Sequence, residues 1–308
     1  MAILEPLDVT ALRIAESRGW FTDTAELTPV GLDWDGYQKH LNRLITLGVI
    51  RSFHLTLNIP LLLGGKWVWA AVLAKTAANP EAVAMKLVER LPFVTEIVIN
   101  TALPSGIGPN LALLFYSRDF ETESRFIQSL SEVKEVELFR VQEYLFPVAL
   151  PLSSEERDLL QVLSENTTQP PSAIGKALGK EEKWVRAKLD RLLWRESNPT
   201  GMISLHASIN WTVSANFGHF HFLLETGYSS EQLKKLLSGH SFELIFSGRP
   251  ISRKFIGVEA DVWGVADLLT KVAFLEGIKG IKVAGVLYNR EVIINDRWVR
   301  NFLHSNSG

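Results

Sequence analysis

The feature that most constrains this chain is that it starts over near its middle. Pro6-Leu7 and Pro151-Leu152 each open an amphipathic segment, and the two stand 145 positions apart. Towards the end of each half, the strand-like triplets Val136-Glu137-Leu138 and Ile281-Lys282-Val283 keep the same spacing. Matching offsets at both ends point to a tandem duplication, so a fold for one half has to be buildable twice.

In the first half Leu7, Val9, Leu12, Ile14 and Ala15 recur at near-helical spacing up to Gly19. Thr24 to Leu27 reads as a short second helix. Asp33 to Leu47 reads as a third, with Tyr37, Leu41, Leu44 and Ile45 on one face and Gly48 as its stop. In the second half Ser153 or Ser154 is expected to cap a helix over Glu155 to Leu163, and Ser172 one over Ala173 to Leu178. Lys180 to Trp194 forms the third helix, its buried stripe being Trp184, Val185, Leu189, Leu192 and Leu193. Turn chemistry at Asn198-Pro199-Thr200-Gly201 and a strand from Met202 to Ile209 then make a wing.

Each three-helix unit is followed by strand, helix, two strands, helix and strand. In the first half these are Trp67 to Ala74, Pro80 to Leu91, Val94 to Asn100, Asn110 to Tyr116, Glu121 to Leu130 and Val136 to Gln142. In the second they are Phe220 to Glu225, Ser230 to Leu237, Glu243 to Ser247, Lys254 to Ala260, Val262 to Leu275 and Ile281 to Tyr288. A βαββαβ order gives a ferredoxin-like antiparallel sheet with both helices on one face. The expected fold class is α+β, with two winged helix-turn-helix units (1–60 and 149–212) alternating with two ferredoxin-like units (61–148 and 213–308).

Composition narrows the function classes. Hydrophobic residues make up 46% and charged residues 21%, which favours folding throughout. There are no cysteines, which removes disulfide scaffolds, thiolate metal sites and cysteine nucleophiles and fits a cytoplasmic location. No secretory signal and no membrane partner are expected, since the most apolar runs, Ile59 to Leu63 and Val68 to Leu73, fall far short of a span.

A net charge of -2 advertises no polyanion, so a DNA-facing surface has to be local. Lys176 to Arg195 supplies one: Lys176, Lys180, Lys183, Arg186, Lys188, Arg191 and Arg195 stand against Glu181, Glu182 and Asp190. A third helix of this kind lies in the major groove and turns its cations to phosphates, so double-stranded DNA is the expected partner. The first-half counterpart is weaker, with Lys39 and Arg43, a neutral His40, and Asp33 and Asp35 nearby.

The loop Pro104-Ser105-Gly106-Ile107-Gly108-Pro109-Asn110 is glycine-rich, and its amides suit a carboxylate or phosphate; its counterpart Ser247-Gly248-Arg249-Pro250 adds an arginine. A plain hairpin loop accounts for the same residues, and a strand follows where a dinucleotide fingerprint needs a helix. His219 and His221 share one face of a strand, but no carboxylate or further histidine stands at a fitting spacing, so no metal site and no cofactor are expected. Trp67 and Trp69 also share a face, one suited to domain pairing. No hydrolase triad, HExxH or phosphate-binding GxxxxGK[ST] occurs, and no catalytic residue is expected.

The stretch Lys39-His40-Leu41-Asn42-Arg43-Leu44-Ile45-Thr46-Leu47-Gly48-Val49-Ile50 resembles the third helix and strand entry of the Lrp/AsnC regulators, and Lys188-Leu189-Asp190-Arg191-Leu192 resembles the same helix again. That family pairs one winged helix-turn-helix with one βαββαβ effector domain, so the resemblance implies a protomer present twice, an intramolecular pseudo-dimer open to further assembly. It implies an amino-acid effector near Ser105, Gly106, Gly108 and Asn110, and near Gly248 and Arg249. Leu91-Pro92-Phe93-Val94 and Gly108-Pro109-Asn110-Leu111 are similar to stretches of the sirohaem decarboxylases, which share the architecture. Where those enzymes carry histidine, tyrosine and arginine this chain has Thr95-Glu96-Ile97-Val98-Ile99-Asn100, so decarboxylation is not expected.

Overall fold

The computed structural model describes residues 1–20, 27–77, 79–103, 108–194, 198, 200–245 and 255–305. The fold is α+β, and two winged helix-turn-helix units alternate along the chain with two ferredoxin-like units. In space the residues gather into two compact units, each drawing on both halves: one from 1–4, 68–142 and 210–293, the other from 5–67, 143–209 and 294–308.

The first unit is the ferredoxin-like part. Its strands are β2 (Gly65–Thr76), β3 (Val94–Leu103), β4 (Leu111–Ser117), β5 (Val133–Phe146), β7 (Gly218–Thr226), β8 (Glu243–Leu244), β9 (Ile256–Val262) and β10 (Ile281–Ile294). They lie side by side in the order β5-β2-β4-β3-β10-β7-β9-β8. Each half therefore contributes its fourth, first, third and second strand in that order, the ferredoxin-like arrangement, and the halves join where β3 meets β10. Helices Pro80–Arg90 and Phe120–Gln128 cover the first half's sheet, burying Val72, Leu87, Ile97, Leu113, Phe115 and Ile127. Ser230–Leu237 and Gly264–Gly277 do the same for the second around Phe222, Leu224, Leu233, Val258 and Leu275.

The second unit holds the helix-turn-helix segments. Helices Pro6–Arg18 and Trp34–Thr46 precede β1 (Ile50–Leu57). Ser154–Glu165, Pro171–Leu178 and Glu182–Leu192 precede β6 (Ile203–Asn210). Only Leu27 of the expected second helix lies within the described residues. Ser172 is not the cap expected: the helix begins at Pro171, two residues before Ala173, where the fixed φ of proline suits a first helical position, and Pro170 occupies the N-cap. Trp184 is only partly buried, whereas Val185, Leu189, Leu192 and Leu193 are buried as expected.

The strands after the third helices do not act as separate wings. β1 and β6 pair with each other antiparallel, with Phe53 opposite Ala207, His54 opposite His206, Leu55 opposite Leu205 and Thr56 opposite Ser204. The caps Asn58 and Asn210, each accepting a backbone hydrogen bond, end the two strands equivalently and set the alignment Phe53-His54-Leu55-Thr56-Leu57 with Leu205-His206-Ala207-Ser208-Ile209. Each histidine therefore faces its own counterpart, and a local pseudo-two-fold axis passes between them. This is the self-complementary contact of an isologous dimer, formed inside one chain.

The repeat spacing of 145 is corrected by the structure. The N-caps Glu5 and Ser153, the third helices starting at Trp34 and Glu182, and strands β5 and β10 all stand 148 positions apart. Pro6 is the first helical residue, whereas Pro151 lies two residues before its cap, so aligning the two prolines misregisters the halves by three.

Two helices escaped the sequence reading. Ile59–Leu63 is a single turn capped by Asn58, whose side chain accepts from the Leu61 amide. Arg297–Ser305 packs on helix Ser154–Glu165 and on β1, and its Leu303 carbonyl accepts from Gln161 Nε2 at 3.2 Å. Trp67 is buried and donates from Nε1 to the Gly64 carbonyl at 2.8 Å, which anchors the entry of β2.

Asp8 is a buried carboxylate at the third position of the first helix, and it holds that helix to the third. It accepts from the Glu5 amide, from His40 Nδ1 at 2.8 Å and from the Arg43 guanidinium. Burial pushes its carboxyl up, but the hydrogen bonds from Glu5, His40 and Arg43 prevail and hold it below the usual aspartate range. A depressed folded-state pKa contributes stability that is present above the unfolded pKa and is lost as pH falls through the folded value. Asp8→Ala is expected to cost about 1–3 kcal/mol at neutral pH, the range for orphaning groups hydrogen-bonded to a charge. Denaturant unfolding of both proteins checks this, and the difference should shrink on acidification below the carboxylate range.

Candidate nucleic-acid interface

Helix Glu182–Leu192 is presented by a tight helix-turn-helix corner. Helix Pro171–Leu178 stops at Gly179, which takes the left-handed conformation (φ 63°), and Gly175 lies directly against the Lys180 carbonyl. A Cβ on Gly175 would sit 2.6 Å from that oxygen, so only glycine lets the two helices meet. With Val185, Leu189 and Leu192 buried, the opposite arc faces outward.

The cations of that arc are not equivalent. Lys183 and Arg186 are exposed, with side chains 85% and 62% accessible, and pair with Glu181 and Glu182 of their own helix entry. Lys180 and Lys188 both lie over the Trp184 ring, 5.1 and 5.4 Å from its centroid, and both reach Glu155. The Lys180 hydrogen bond holds the Glu155 carboxyl below its usual range. Arg191 pairs with the buried Glu156, the acid that closes the capping box of helix Ser154–Glu165. Glu155 and Glu156 thus reduce the positive surplus counted along residues 176–195 alone. Arg195 lies outside the described residues.

The same arrangement recurs in the first half, where Asp8 takes the place of Glu156 and Arg43 that of Arg191, each 148 positions apart. His40 and Arg43 turn to Asp8, and Lys39 is the exposed cation of that helix. The sequence alone offered one clue to this division: each arginine has an acid at the third position of the unit's first helix.

Of the expected effector loops, Ser105, Gly106, Gly248 and Arg249 lie outside the described residues. Gly108 has a left-handed backbone (φ 115°) and packs against Leu287 and Leu223, where a Cβ would approach to 2.7 and 3.0 Å. Asn110 directs both side-chain amide atoms at the Thr76 backbone, accepting from its nitrogen at 2.8 Å and donating to its oxygen at 3.3 Å, so it fastens the end of β2. Along Thr95-Glu96-Ile97-Val98-Ile99-Asn100, Ile97 and Ile99 enter the first half's core and the Thr95 hydroxyl donates to the Leu114 carbonyl.

The expected lack of carboxylates beside His219 and His221 is corrected by strand pairing. Carboxylates do stand beside His219 and His221, on the neighbouring strand: Asp261 is opposite His219 and Glu259 opposite His221. Burial raises the Glu259 carboxyl, yet hydrogen bonds from His219 and His221 and their charge bring it well below the usual glutamate range.

No family model matches the sequence, and no curated protein matches it at significant similarity. Among solved structures, the siroheme decarboxylase NirDL aligns over 97% of this chain and 97% of its own at 14% identity, with a TM-score of 0.49. The same enzyme in complex with an iron-uroporphyrin III analogue aligns over 97% and 99% at 17% identity, TM-score 0.47. E. coli AsnC aligns over 47% of this chain and 93% of its own at 12% identity, TM-score 0.29.

The two classes of cation predict different phenotypes. Arg191→Ala is expected to lower stability by about 1–3 kcal/mol, because it removes the charged partner of the buried Glu156 carboxylate, which keeps only its hydrogen bonds from Ser153. Lys183→Ala should change it by less than about 0.5 kcal/mol. Thermal unfolding of both variants checks the assignment.

Proposed function

We propose that this chain is a sequence-specific DNA-binding regulator whose two helix-turn-helix units form one pseudo-dimeric reading head. The observation that carries the reading is the β1–β6 pairing, which joins equivalent strands across a local two-fold as dimeric regulators join two protomers. In this reading helix Glu182–Leu192 supplies the main phosphate contacts through Lys183 and Arg186, with Lys180 and Lys188 beside them. Their acidic partners are exposed, and exposed pairs contribute only about 0.2–1 kcal/mol, so a phosphate can displace them. Lys39 makes the lesser contribution of the first half, and 1–60, 61–148, 149–212 and 213–308 are the functional domains. In this reading the ferredoxin-like part carries the site for a small effector of the amino-acid class, around Ser105, Gly106, Gly108 and Asn110 and around Gly248 and Arg249.

One observation favours a second reading, ligand sensing without DNA: most of the cations expected at the groove are engaged by acids of their own unit. Anisotropy titration with genomic duplex DNA across a salt series separates the two. The regulator reading expects salt-dependent binding, and Lys183→Ala with Arg186→Ala should reduce the slope of log K against log salt by about 2. Absence of binding at low salt would leave the sensor.

A further inference from the structure

We propose that His219, His221 and Glu259 form a binding site for a divalent first-row transition metal, of the zinc class, on the sheet of the second half. His219 and His221 leave β7 on the face opposite Phe222 and Leu224, which enter the core, and Glu259 reaches the same face from β9. One ligand atom from each lies within 4.8 Å of the others. Glu259 Oε2 is 3.4 Å from His219 Nε2 and 3.3 Å from His221 Nε2. A tetrahedral ion with bonds of about 2.0–2.1 Å holds its ligands about 3.3–3.4 Å apart, so these edges already have the right length.

The surroundings prepare the same chemistry. His219 directs Nδ1 at Asp261 Oδ1, 3.1 Å away, which fixes the proton there and leaves the Nε2 lone pair for an ion. Its ring is stacked on Trp211 at 5.9 Å, which limits rotation. Glu259 and Asp261 together balance two positive charges. Asn289, only 2% exposed, has its side-chain nitrogen 3.1 Å from His221 Nε2, while its side-chain oxygen has no hydrogen-bond partner among the described residues. Turning that amide over puts the oxygen towards the ion and gives it a partner, and the two orientations are isosteric. Two imidazoles and one carboxylate select zinc, cobalt, nickel or iron(II) over magnesium or calcium.

The site stands independently of the DNA reading. Equilibrium dialysis of the full chain against Zn²⁺, with Co²⁺ absorption as a second readout, tests it. The expected result is one ion per chain, with Co²⁺ giving the spectrum of a low-coordinate nitrogen and oxygen site. His221→Ala and Glu259→Gln should weaken binding by more than about 100-fold, and Asp261→Asn, which keeps an acceptor for His219 Nδ1 but removes its charge, by about 10–100-fold. Glu259→Gln keeps shape and size, so it reads the site even where a histidine variant folds poorly, with circular dichroism as the check. No retained ion, or equal affinity in folded His221→Ala and Glu259→Gln, would overturn the proposal.

Discussion

The pairing of β1 with β6 is the interaction on which the helix-turn-helix unit depends. Either strand alone would present a bare edge of amides and carbonyls beside a half-formed core. Together they satisfy each other's backbone and bury Leu55, Leu57, Ile203, Leu205, Ala207 and Ile209. Because side chains alternate along a strand, a slip of one residue would turn that apolar set outward, so register and core specify one another. The contact also converts a duplicated sequence into a two-fold unit without the translational and rotational entropy that two separate chains would lose on association.

Pseudo-symmetry is kept in the buried ion pairs and broken in the exposed charge around them. Asp8 with Arg43, and Glu156 with Arg191, hold the first helix of each half to the third in the same way. Around these pairs the halves diverge: the third helix of the second half and its entry carry Lys180, Lys183, Arg186 and Lys188, whereas Lys39 is the exposed cation on the third helix of the first. Even on the dyad the two histidines differ. His54 reaches Asp296 at 3.0 Å, while His206 contacts the Glu16 carbonyl and burial pushes its ring pKa down.

Much of this architecture was legible from local signals. The alternation of helical and strand periods marked both ferredoxin-like units and their element order, and Gly19, Gly48 and Gly179 lie at the helix ends or just beyond them. What escaped was non-local or carried by a single residue. The spacing error came from reading Pro6 and Pro151 as equivalent, although one begins a helix and the other precedes a cap. The partner of the supposed wing lies some 150 residues away, beyond any turn signal. The carboxylates beside His219 and His221 arrive through strand register, with Glu259 nearly forty positions downstream. Charge counted along one helix also missed Glu155 and Glu156, which the fold brings to it from another.

The most direct test of the account is to lock its dyad. The chain has no cysteine, so Thr56→Cys with Ser204→Cys introduces a single pair of thiols at directly opposed positions of β1 and β6. Under mild oxidation the account predicts an intramolecular disulfide, seen on a non-reducing gel as a faster-migrating monomer that reverts on reduction. Free thiols, or a disulfide found only between chains, would contradict an intramolecular pseudo-dimer.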